Sequence, residues 1–373
     1  MGTYAWARHK DAGHRVLNRR EAWPLILLGG WLAVSVLRAG DRWDTAVAAT
    51  MLAALSAAAP LALARVSATE PPPQQVVLVM GAAAVGSAAA AWVVPIVLGT
   101  GIQWRQALPI GGASNSAVGL TLALAGTLTG ARLWPDQRWI WRAGSLVAGL
   151  LLVQSLSRAG WILALVLVIV AMVRHHRWKI SWGVPAVGLV AVATVLELVR
   201  RRGSGLLFDH SRWANAASGL EAMTGSWDSV VFGLGPMRLW PWLALERGRP
   251  GTELGSGNYY NSPWGTVLYH AHSTYLEVVV EYGPVGLLLF IAVLAVVVSR
   301  CVREIRQRGA LSLLAVAVLL ALPAMLVELY LLRGFPSAVL FWTAVFAVGG
   351  GGGRPRGATS ARWHVRRNRG CLI

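Results

Sequence analysis

The sequence predicts an all-α polytopic membrane protein of about ten transmembrane helices, with ten to twelve as the range. One large outward loop carries an amphipathic helix. Three observations carry this. Of 373 residues, 55% are apolar and only 13% charged, half the roughly 25% usual for a soluble domain; mean hydropathy is +0.54. Many uncharged windows reach about 16–22 residues, the length that crosses a bilayer as helix. The net charge of +18 comes almost wholly from arginine, in short clusters between apolar runs, which suits loops resting on anionic headgroups. A soluble protein, a disordered chain and a nucleic-acid binder are thereby excluded. Two cysteines, Cys301 and Cys371, exclude a disulfide framework and a cysteine-based zinc site.

Ten apolar segments follow in order. The first three span 22–37, 45–64 and 76–98. The next four span 113–130, 139–156, 159–173 and 182–199, and the last three 275–298, 310–331 and 335–349. None alternates as a lipid-facing barrel strand would, so each reads as helix. The first follows Arg19-Arg20 and lacks a small-residue cleavage site, so it reads as an uncleaved span. Pro71-Pro72-Pro73 stiffens the connection between the second and third.

Basic residues set the orientation. With the N-terminus inside, 22 of the 34 lysines and arginines fall on inner segments and 5 on short outer loops, namely Arg38, Arg42, Arg105, Arg158 and Arg333. The other 7 lie in 200–274, which is long enough to translocate whatever its charge. The expected layout is therefore helices one to seven in 1–199, an outward loop in 200–274, helices eight to ten in 275–349, and a basic cytoplasmic tail in 350–373. Both termini are expected inside.

A loop of this length is uncommon as a mere connector. Asp209 and Ser211 suit the cap of a helix over about 211–224. Trp213, Ala217, Leu220 and Met223 share one face of it, leaving Arg212, Asn215 and Glu221 elsewhere, so this helix is expected to lie on the bilayer or on the helix bundle. Phe232-Gly233-Leu234-Gly235-Pro236 is a turn signal. Trp240, Trp242, Tyr259, Tyr260, Trp264 and Tyr269 then crowd together, as membrane-interface anchors or as sugar-stacking rings. The loop closes on Tyr269-His270-Ala271-His272-Ser273, and the next helix passes Gly283-Pro284-Val285-Gly286. A neutral histidine at a helix start can accept a hydroxyl proton or serve as a polar cap. A His270/His272 metal pair lacks a third ligand at a recognisable spacing, so no metal is expected. Arg158, in the tight hairpin Ser155–Trp161, is a charge beside apolar surface; it either snorkels to headgroups or serves function. Arginine's planar fork suits a diphosphate, and Arg212 opens the loop helix. Arg105 and Arg333 are outward but outside these motifs.

His272-Ser273, nine residues, then Gly283-x-x-Gly286 resembles the His-[Asn/Ser/Gln]-x9-Gly-x-x-Gly signature of the O-antigen ligase and polymerase superfamily. Weaker matches precede it in that family's order: Ser114-Asn115-Ser116-Ala117, Ser157-Arg158-Ala159-Gly160-Trp161, and Arg212-Trp213 followed by Gly233-Leu234-Gly235-Pro236. The likeness spans about residues 110–300. It implies a metal-independent membrane glycosyltransferase without cofactor, in a bacterial inner membrane, that makes a cell-surface polysaccharide. The donor would be an undecaprenyl-diphosphate-linked glycan, and the acceptor a hydroxyl on a glycan, lipid or protein. His272 would be the base, Arg212 and Arg158 would hold the diphosphate, and Ser273, Gly233, Gly235, Gly283 and Gly286 would be structural. Membrane lipid is the surrounding partner, and no nucleic acid is implied. A transporter or flippase of a lipid-linked saccharide is the alternative, and it would need the arginines without a base.

Overall fold

The computed structural model describes residues 17–66, 73–100, 113–155, 157–174, 210–246 and 259–348. The expected seventh helix at 182–199, Arg105 and the basic tail lie outside the described residues. Helix α1 is Arg19–Val36, α2 Trp43–Val66 and α3 Pro73–Ala88; α3 runs through a π-helical stretch, Ala89–Val93, into α4, Val94–Val97. Then come α5 Ala113–Leu133, α6 Arg138–Gln154 and α7 Arg158–Arg174. The loop holds α8 His210–Thr224, α9 Trp227–Phe232, α10 Trp242–Glu246 and a hairpin of β1 Tyr259–Ser262 with β2 Gly265–Leu268. The chain finishes with α11 Thr274–Arg306, α12 Ser312–Ala324 and α13 Phe335–Ala347.

Among the described residues, four helical stretches are long and apolar enough to span a membrane: Gly40–Ala62, Gln74–Val97, Ser116–Leu133 and Thr274–Arg306. Ala159–Met172, Ser312–Ala324 and Phe335–Ala347 are shorter apolar helices. The protein is an all-α membrane protein.

The bundle is built around α5, which packs on α3, α6, α7, α12 and α13. Small residues allow this closeness. A Cβ at Gly126 would stand 2.2 Å from Met80 Cβ, and one at Gly130 would stand 2.4 Å from the Trp141 indole. The buried hydroxyls of Thr121 and Thr129 satisfy themselves on carbonyls one turn back in α5 (2.8 and 2.7 Å). At the end remote from the loop, the buried Arg300 donates to carbonyls 345, 346 and 348 at the close of α13 and to Glu21 (3.1 Å). Glu21 also completes a capping box with Asn18 at the start of α1.

The expected helix over 310–331 is corrected. α12 ends at Ala324, and 325–334 is a run of turns whose carbonyls turn aside to bond other elements. Met325 O and Glu328 O both accept from the N–H of Thr274 (2.9 and 3.2 Å), and Glu328 O also accepts from its hydroxyl (2.8 Å). A continued helix would have consumed those acceptors.

Candidate active site

The loop folds onto the first half of α11, and the contact is made through a break in that helix. Pro284 has no N–H, and Gly283 stands at φ 75° and ψ 174°, so the carbonyls of 280, 281 and 282 lose their helical partners. Each finds another. Val280 O accepts from Leu234 N (2.9 Å), Glu281 O from Gly235 N (2.9 Å), and Tyr282 O from the Trp31 indole of α1 (2.8 Å). An unsatisfied carbonyl at membrane depth costs several kcal/mol, so these three bonds are what make the break tolerable. Gly233 and Gly283 cross backbone to backbone. A Cβ on Gly233 would lie 2.5 Å from Glu281 O and Gly283 N, and one on Gly283 would lie 2.5 Å from Val231 O. Both also have positive φ, so the glycines of the two separate motifs form one joint. Gly286 lets α11 approach Trp31, whose Nε1 would be 3.1 Å from a Cβ there.

The buried Glu281 extends the joint. Its carboxylate accepts from the backbone N–H of Met237 (3.1 Å) and of Trp240 (3.3 Å). Arg38, at the end of α1, forks onto Asp228 and donates to Gly233 O (3.2 Å), holding α9 against the bundle. Arg42 donates to the Tyr260 hydroxyl (2.6 Å) and fixes the hairpin.

On α8 the buried face is Asn215, Gly219 and Ala222. The expected apolar stripe points away: Trp213 is 79% exposed and Leu220 44%. Met223 of that stripe, by contrast, packs against the apolar cluster of Leu234, Trp240 and Val280. Asn215, 3% exposed, is the clamp of the site. Its Oδ1 accepts from Trp240 Nε1 (3.0 Å) and Leu268 N (3.1 Å), while its Nδ2 donates to the carbonyls of His270 (3.2 Å) and Ala271 (3.4 Å).

The histidine turn lies between this clamp and α11. His272 has φ 57°, in the left-handed region that non-glycine residues seldom occupy. Its N–H donates to His270 Nδ1 (3.2 Å), and the two rings pack with centroids 3.7 Å apart. Because His270 Nδ1 accepts, the His270 proton sits on Nε2. Burial, reinforced by the charges of His272, Arg333 and Arg212, holds His270 well below the usual histidine range, so it is neutral at pH 7. Ser273 caps α11, accepting from Leu276 N (3.3 Å) and donating to Met325 O (3.2 Å). Arg212, half-buried, donates to Val327 O (3.1 Å).

His272, Ser273 and Arg212 are thus gathered at the start of α11, with Gly233, Gly235, Gly283 and Gly286 forming the joint beneath. Arg158 opens α7 at the same end of the bundle, where Gly160 packs on Ala117 of α5 and Gly119 of α5 packs on Ser337 of α13. The structure adds residues that the motifs omit. Arg333 donates to the Tyr269 hydroxyl (2.9 Å) and covers the Tyr269 ring, and Tyr269 meets His270 edge-on at 4.5 Å. Arg333, outward but outside the motifs, is thus brought beside the histidine turn. Asn215 gave no signal beyond being polar. Among the described residues, no group of three or more His, Cys, Asp or Glu is placed to hold a metal ion.

This arrangement offers a hydrogen-bond acceptor, a cation and a rigid backbone at one spot. Residues 143–291, which include the α8 clamp, the glycine joint and the histidine turn, match the O-antigen ligase family model. That stretch is an O-antigen ligase domain. No curated protein matches the chain. The domain begins in α6, includes Arg158, Arg212 and His272, and ends in α11 beyond Gly286. Arg333 lies outside it. The match to the O-antigen ligase family suggests ligase- or polymerase-type action on cell-surface polysaccharide.

Proposed function

We propose that this protein transfers a glycan from an undecaprenyl-diphosphate carrier to an acceptor hydroxyl at the outer face of the bacterial inner membrane, as a ligase or polymerase without a metal. The acceptor oxygen attacks the anomeric carbon, the bond to the diphosphate oxygen breaks, and the acceptor proton passes to His272. Arg212 and Arg158 hold the departing lipid diphosphate, whose new charge must be stabilised as the bond breaks. The observation that carries this reading is the convergence of His272 and Arg212 at one capped helix start inside the O-antigen ligase domain. The φ of 57° at His272 supports it: a strained backbone persists where function or packing requires it.

The test is donor consumption and product size in membranes supplied with the lipid-linked glycan. His272→Ala should accumulate normally and lose transfer by about 10²–10⁴-fold, the usual contribution of a general base. His272→Gln keeps a polar group at the helix start but takes no proton near pH 7, so it should be equally inactive. Near-normal transfer by His272→Gln would remove the base assignment and favour transport of a lipid-linked saccharide.

A further inference from the structure

The turns at 325–334 carry a second basic group into the site. Arg333 closes this segment and Arg212 is tied to its Val327 carbonyl, so two guanidiniums from distant parts of the chain are anchored on one short piece of backbone. Arg333 is half-buried and held in place, with its Cζ 4.7 Å from the Tyr269 ring centroid and 5.7 Å from that of Trp242. Its Nη2 is used on the Tyr269 hydroxyl. From there a run of rings leads straight to the histidines: Tyr269 to His270 at 4.5 Å, and His270 to His272 at 3.7 Å. Burial keeps His270 neutral, and Arg212 and Arg333 are both close enough to act on it electrostatically. Two positive groups beside a neutral imidazole form an anion site, and a planar fork already stacked on aromatic rings loses little freedom on gripping a phosphate.

We propose that Arg333 is a further donor-binding residue, holding the lipid-linked diphosphate together with Arg212 beside the histidine pair. This rests on the transferase reading for the identity of the anion. A structural rival exists on the page. Arg333 is within electrostatic reach of Glu277, a carboxyl 1% exposed in the first turns of α11 whose Oε2 has no hydrogen-bond partner. Arg333 would then serve merely to balance a buried charge.

The experiment uses the full chain in nanodiscs and measures binding of undecaprenyl diphosphate directly, alongside transfer. Arg333→Lys should weaken that binding about tenfold or more, within the range for a charged hydrogen bond to a ligand. It should raise the donor KM while leaving the acceptor KM unchanged. Arg238→Lys, an exposed arginine stacked on Trp264, should behave as wild type. Wild-type binding by Arg333→Lys overturns the proposal. So does recovery of binding in the Arg333→Gln, Glu277→Gln double variant relative to Arg333→Gln, since that is the mark of a counter-ion alone. Discs of neutral phosphatidylcholine and discs containing phosphatidylglycerol separate the sources of phosphate. A loss confined to the anionic discs would assign Arg333 to a headgroup and overturn its donor role. A wild-type protein that binds the diphosphate but transfers nothing would keep the Arg333 site and reject the transferase reading.

Discussion

Replacing Asn215 by alanine should injure both the packing of the loop and its histidine turn. The side chain makes four hydrogen bonds from a position 3% exposed. Its removal orphans two buried donors, the Trp240 indole and the Leu268 amide, and frees the carbonyls of His270 and Ala271. Each buried donor left without a partner costs about 1–3 kcal/mol, so the pair amounts to about 2–6 kcal/mol. Part of that loss falls on the histidine turn itself, so transfer should fall more steeply than the amount of folded protein. Asn215→Asp separates the two effects. It keeps the acceptor for Trp240 and Leu268 but points an anionic oxygen at two carbonyls, so the hairpin should hold while the turn is disturbed. Unfolding midpoints in detergent, read beside donor consumption per folded molecule, make the comparison. An Asn215→Ala protein within about 0.5 kcal/mol of wild type, the usual range for surface changes, with full transfer would show that the clamp is not what holds His272.

Three further outcomes are expected. His270→Ala should reduce transfer, because His270 supplies both the acceptor for the His272 N–H and the ring on which His272 rests; steady-state rates at saturating donor test this. The folded His270 titrates below its unfolded value near 6.5, so the stability it confers is complete above that pH. That stability is lost as pH falls from about 6.5 through the folded value, and His270→Gln should flatten this acid limb in a melting series. Gly283→Ala and Gly233→Ala should each prevent stable accumulation, since the strained φ alone costs about 1–3 kcal/mol and the added Cβ meets backbone at 2.5 Å; membrane levels by immunoblot decide it. With Cys301 and Cys371 replaced by serine, an impermeant thiol reagent should label a cysteine at 256 in spheroplasts and spare one at 351. The opposite pattern would invert the proposed orientation.

The helical segments and the histidine signature were legible because long uncharged runs and a fixed spacing are local properties of the chain. The described helices begin and end within a few residues of the apolar runs that forecast them, except that α11 runs on past 298 to Arg306 and α12 stops at Ala324. The segment after Ala324 is still largely apolar, and its departure from helix goes with Ser273, Thr274 and Arg212, which use its carbonyls. No periodicity records such a demand. Gly233 and Gly283 each read as an isolated turn or helix-breaking residue; that they meet is a fact about two backbones fifty positions apart. Asn215 looked like solvent-facing polarity because a helical wheel ranks residues by type, whereas burial here follows the small residues Gly219 and Ala222, and Trp213 is left outside. The contact of Arg333 with Tyr269 was not legible, because the fold of the last two helices is what brings them together.

The bonds between 273–274 and 325–328 also impose an order on assembly. Every residue of the family signature has been synthesised by Gly286, yet the cap of α11 has no seat until Met325 and Glu328 have been made and α12 has packed beside α5. During synthesis the start of α11 must therefore wait for its cap while the last helices enter the bilayer. Translation beyond the signature works as a latch, and the site comes into being only when that latch closes.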